Sequence, residues 1–163
     1  MRFFAGSDKA RISAMRILVI DAQGGGVGKQ LIAAIKKELP EAHVTAVGAN
    51  SAAASAMLKA GADEAATGEN PVVVCSRDAD VIVGPIGIVI ADAMLGEITP
   101  RMAAAVAQSK AVRILIPFNS CSNIIAGVSE LNVKALIGDA VMKIKSLAER
   151  CIHLGRCGFS ADE

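Results

Sequence analysis

The succession of apolar and polar positions divides the chain into alternating strand and helix units. Residues 17–20, Ile-Leu-Val-Ile, form an unbroken run of branched side chains, the pattern of a strand buried on both faces. The run stops at Asp21, crosses Gly24, Gly25 and Gly26, and resumes as a helix over about 27–39. There Leu31, Ile32, Ile35 and Leu39 recur on one face, Lys36, Lys37 and Glu38 fill the other, and Pro40 follows as a stop. Residues 43–47 predict a second strand, and Asn50 or Ser51 can cap an Ala-rich helix that runs through Lys59 and closes at Gly61.

A short third strand is expected over 62–67. Residues 72–77 fit a short helix, although Val72, Val73 and Val74 also favour extended backbone. A fourth strand over 81–83 is broken by Gly84, Pro85 and Gly87, and 88–95 predict a helix ended by Gly96. Thr99 followed by Pro100 marks the start of a helix to about Ser109. A fifth strand over 113–118 leads into the polar cluster 119–123, and a last helix over about 131–150 carries Val133, Leu136, Ile137, Ala140, Val141 and Ile144 on one face.

This alternation implies an α/β protein, a Rossmann-like open and mostly parallel sheet of about five or six strands with helices on both faces. One domain over 15–150 is expected. Residues 1–14 read as an ill-ordered extension or start-site artefact, and 151–163 as a tail. Composition agrees: 53% of residues are hydrophobic, mostly Ala, Val, Ile and Leu, with four Phe and no Trp or Tyr. Seventeen Lys and Arg stand against sixteen Asp and Glu, so no net field draws the chain to nucleic acid or anionic membrane. The missing Tyr and Trp also leave few rings on which bases could stack.

The longest uncharged apolar run, between Asp80 and Asp92, is about half the roughly 20 residues of a membrane span. Phe3 and Phe4 give way at once to polar residues, too brief an apolar stretch for a secretion signal. A cytoplasmic protein is expected, with its four cysteines as reduced thiols.

Glycines where a buried strand turns into a helix make a phosphate-binding geometry, because backbone can approach a ligand closely and the helix presents unpaired amides to an anion. Three glycine patterns compete for 21–29. The dinucleotide fingerprint G-x-G-x-x-G fits Gly24 and Gly26 but meets Lys29 at its third glycine. A P-loop, G-x-x-x-x-G-K-[ST], aligns Gly28 and Lys29 but finds Gln23 and Gln30 at two diagnostic positions. The pattern G-x-x-x-G-x-G of short-chain dehydrogenases finds Ala22 for its first glycine and Gly26, Val27 and Gly28 at its end, so the stretch resembles that family best. The family's Tyr-x-x-x-Lys pair cannot exist without Tyr, which removes its mechanism and leaves a cofactor-binding relative.

More widely, the segments IDAQGGGVGKQL, AVGANS, MLKAGADE, ADVIVGPIGIVIAD, GEITP and ILIPFN, in this order over about 16–141, make the chain similar to a bacterial Rossmann-like family of unknown function. The resemblance implies the fold and a nucleotide site. It supplies no reaction.

The candidate phosphate site is Gly24, Gly25, Gly26, Val27, Gly28 and Lys29, the lysine reaching a phosphate or lying in solvent. Asp21, which would repel a phosphate, is expected to accept loop amides, with metal coordination the sharper alternative. The end of strand two offers Ala49, Asn50 and Ser51, with neither an acid for NAD nor an arginine for NADP; Asn50 and Ser51 could bond a ribose or only cap a helix. Gly84, Pro85 and Gly87 would leave room for a base or ribose, or make a plain bend. Asn119 and Cys121 lie at the matching end of strand five, Cys121 facing a ligand or buried as a neutral thiol.

Cys151, His153 and Cys157 are of metal-ligand types, but their spacing lacks a zinc pair and a fourth ligand, so no metal is assigned. His43 is expected to be structural, which leaves Asp92, Lys29, Cys121 and Asp21 as acid–base candidates. The expected function is binding of NAD or NADP in a sensor, carrier or regulatory role. A deviant P-loop hydrolase, a small reductase using Cys121 and a non-catalytic scaffold are the alternatives. A domain of this size is expected to complete its site as a homodimer or with a larger partner.

Overall fold

The computed structural model describes residues 10, 12–117, 123–126 and 132–154. In chain order the elements are β1 (Arg16–Asp21), α1 (Gly26–Glu38), β2 (His43–Gly48), α2 (Ser51–Lys59), β3 (Glu64–Thr67), α3 (Glu69–Asp78) and β4 (Val81–Pro85). A 3-10 turn (Ile86–Val89), α4 (Pro100–Gln108), β5 (Val112–Ile116) and α5 (Val133–Leu154) follow. The five strands form one open sheet in the order β3-β2-β1-β4-β5, with every neighbouring pair parallel. This is the expected Rossmann-like α/β arrangement.

Alternate residues of each central strand serve two cores, which is why the strands read as continuous apolar runs. Ile17 and Val19 of β1 join Val44, Ala46, Val81 and Val83 beneath α1, α2 and α5. Leu18 and Ile20 point the other way, with Ile82, to Val72 of α3 and Met102 and Val106 of α4. Among the described residues no helix is long and apolar enough to cross a membrane.

The chain departs from expectation in four places. Ile12, assigned to the extension, is buried in the first core, and the Met15 amide donates to its carbonyl at 3.1 Å, so the packed domain includes residues before 15. The helical segment expected over 72–77 begins earlier, at Glu69. The helix expected over 88–95 is instead a 3-10 turn followed by a compact loop in which Asp92, Met94, Leu95 and Gly96 have positive φ. Burial of Ile88, Ala93, Met94 and Ile98, at spacings no single helical face provides, folds this segment onto the second core. Finally, α5 continues past 150 into the expected tail, while the rest of that tail lies outside the described residues.

Gly84 holds β4 against β1. A Cβ there would collide with the Ile20 carbonyl oxygen and crowd the Ile88 side chain, 3.2 Å away. Backbone cannot give way cheaply, so Gly84→Ala is expected to destabilise by about 1–3 kcal/mol. Gly138, in α5, has open space around it, and Gly138→Ala is expected to stabilise by about 0.5–1 kcal/mol. Urea unfolding of the two variants checks these opposite signs.

Candidate functional site

The carboxyl ends of β1, β2 and β4 meet where the strand order reverses, since β1 lies between β2 and β4. Ligands of open α/β sheets bind at such an edge. Asp21 ends β1 and is only 3% exposed. Its Oδ1 accepts from the Ala22 amide at 2.8 Å and its Oδ2 from the Gly28 amide at 2.6 Å, with the Val27 amide also turned to it. A helix begins with amides that have no internal partner, and here the protein's own carboxylate meets those of Val27 and Gly28. Burial raises the Asp21 pKa against the pull of the Gly28, Ala22 and Val27 amides, and the nearby charge of Glu97 adds to the rise.

The glycine turn divides into two kinds of position. Gly25 caps α1 at φ 66°, and a Cβ there would come 2.9 Å from Ala53 Cα; one at Gly28 would come 2.9 Å from Asp21 Cβ. Those two are glycine because the fold requires it. Gly24 and Gly26 have no positive φ, and a Cβ at either would meet nothing within 4 Å. Their amides donate to no described residue, whereas Gly25 donates to the Ala22 carbonyl at 3.0 Å.

Both open glycines line a crevice of about 400 Å³ between the β1 and β4 exits, within the ordinary size range of small-ligand pockets. Ala22, Val27, Pro85, Met94 and Val133 give it apolar walls, and Gln23 and Gln30 supply amide groups. Asp21 is its one titratable lining residue among those described.

The remaining expected site residues fall differently. Pro85 and Gly87 line the crevice, whereas Gly84 is a packing position against β1. Lys29 is exposed and does not line it. Asn50 caps α2, its Oδ1 accepting from the Ala53 amide at 2.9 Å, and Ser51 is exposed in the first turn. Asn119, Cys121 and Cys157, and the side chains of Cys151 and His153, lie outside the described residues. His43 sits beside Asp63 and Glu64 at the amino end of β2, far along the strand from the crevice edge. No group of three or more metal-ligating side chains occurs among the described residues.

Sequence reasoning missed Met94, Val133 and Glu97. Glu97 Oε2 accepts from the Gln23 amide at 2.7 Å and from Asn50 Nδ2 at 2.8 Å, tying the loop after β4 to the glycine turn and to the end of β2. No local signal marks a contact 74 residues apart in sequence.

A family model described as Domain of unknown function (DUF3842) matches residues 16–149. No curated protein and no solved structure matches the chain.

The Asp21 carboxylate has a measurable signature. Asp21→Asn is expected to lose about 1–3 kcal/mol, because its new amide group turns a donor toward the Ala22 or Gly28 donor. Above the ordinary pKa of 3.8 and up to the raised native value, the folded state keeps a proton that the unfolded chain releases, so wild type loses stability as pH rises through that window. The variant has no such proton, and thermal unfolding across a pH series is expected to show the gap between the two proteins narrowing as pH rises above 3.8.

Proposed function

We propose that this chain, which belongs to the family of domains of unknown function DUF3842, is a nucleotide-binding protein that lays an NAD-type dinucleotide across the carboxyl edge of its sheet. The observation that carries the reading is the pair Gly24 and Gly26. Neither backbone conformation nor packing demands glycine at these positions, yet both leave open space and a free amide at the crevice. A ligand whose phosphates approach the backbone accounts for both. The apolar walls at Pro85, Met94 and Val133 suit a flat ring, and about 400 Å³ accommodates one half of the dinucleotide, so the other half lies over the turn toward β2. Among the described residues the chemistry-bearing side chains at the crevice are few, which favours a sensor, carrier or regulatory role over a catalytic one.

A second reading, a scaffold with a structural glycine turn, draws support from Asp21, whose carboxylate already answers part of the helix mouth. Calorimetric titration with NAD, NADP, ATP, ADP and GTP separates the two. The dinucleotide is expected to bind, and Gly26→Leu, whose side chain would project into open space, is expected to weaken it at least tenfold while leaving the midpoint of thermal unfolding within a few degrees. No binding by wild type at millimolar concentration of any of the five would favour the scaffold.

A further inference from the structure

The end of β2 carries no acid, yet a carboxylate stands there. Residues 49–51 are Ala49, Asn50 and Ser51, and the Asn50 side chain is fully engaged: Oδ1 caps α2, while Nδ2 donates to the Gln23 carbonyl at 2.8 Å and to Glu97 Oε2 at 2.8 Å. Glu97 comes from the loop between β4 and α4 and places its carboxylate between the first residue of the glycine turn and the mouth of β2. Dinucleotide sites of this architecture keep an acid at that place, normally supplied by β2 itself about 20 residues past the glycines, where it accepts from a ribose hydroxyl. Oε2 of Glu97 is held by two donors, and Oε1 bonds to no described residue.

We propose that Glu97 is the ribose-reading acid of this protein, delivered from the β4–α4 loop in place of β2, and that it selects NAD over NADP. The inference rests on the nucleotide reading above. With Oε2 fixed by the Gln23 and Asn50 amides, Oε1 is left to accept from the 2′-hydroxyl of the adenosine ribose. A 2′-phosphate at that point would bring its charge against the Glu97 carboxylate. The loop that delivers Glu97 holds Asp92, Met94 and Leu95 at φ of 61°, 56° and 61°, a conformation that non-glycine residues adopt at a cost and that concentrates at ligand clamps. Met94 of the same loop walls the crevice, so one segment serves both ends of the ligand.

Calorimetric titration of wild type and Glu97→Gln with NAD and NADP, at one ionic strength, tests the assignment. Glutamine keeps an oxygen for the Gln23 and Asn50 donors and removes the charge, so the thermal midpoint is expected to stay within a few degrees. Wild type is expected to favour NAD at least tenfold, and Glu97→Gln to bring the two cofactors within about threefold, chiefly through tighter NADP binding. Equal affinities in wild type, or a variant that weakens NAD and NADP by the same factor, would overturn the assignment and leave Glu97 as a structural tie, the nucleotide reading standing. Binding gained only by the variant would overturn it too, since Glu97 would then obstruct the site. Silence in all four titrations would instead remove the nucleotide reading itself, and the role of Glu97 with it.

Discussion

Where β1 gives way to α1, a buried carboxylate faces the first turn of a helix, and the arrangement of the whole edge follows from that contact. Asp21 has left water almost completely, and a buried charge or carboxyl is tolerable only when its oxygens find donors. The amides of Ala22, Val27 and Gly28 are those donors, and in meeting them the carboxylate fixes how far α1 can stand from the end of β1. The turn in between has to fit that distance. Gly25 supplies the left-handed residue, Gly28 the close packing of helix on strand, and Gly24 and Gly26 are carried outward to the crevice.

The same contact fills the inner part of the helix mouth and leaves the outer part open. In a Rossmann site whose first turn is unoccupied, the pyrophosphate takes the helix amides directly. Here the inner amides are engaged, and the outer two, on Gly24 and Gly26, are left to any partner that comes. Glu97 extends the polar rim toward β2, and Pro85, Met94 and Val133 form the dry wall toward β4.

How much of this could be read from the residues depended on whether the cause was local. The β1–α1 unit was legible because branched residues, glycines and a helical apolar face follow one another within about twenty positions. The Thr99-Pro100 start of α4 was equally plain, and Thr99 indeed accepts from the Met102 amide at 3.1 Å. The segment 86–98 was not, since its conformation comes from burying Ile88, Ala93, Met94 and Ile98 against a core assembled from distant strands. Propensity saw a short apolar helix; tertiary packing required a loop with left-handed residues. Gly84 looked like a space for a ligand because a glycine at a strand end has two meanings, and only the nearness of the Ile20 carbonyl decides between them. Glu97 was invisible for the same reason: its partners are Gln23 and Asn50, and nothing in the neighbourhood of 97 refers to either.

Only Leu95 and Gly96 separate Met94 from Glu97, and the tight loop around them leaves no slack. Its amides are tied internally, Asp92 to the Ile98 carbonyl at 2.8 Å and Gly96 to the Asp92 carbonyl at 3.2 Å. Depth of the cleft and polarity of its far rim are therefore heritable only together: an insertion or deletion within this loop would shift a hydrophobic wall and an acidic rim in one event. Change at this edge is then channelled into side-chain replacement at these two positions, because changes of loop length carry a double penalty.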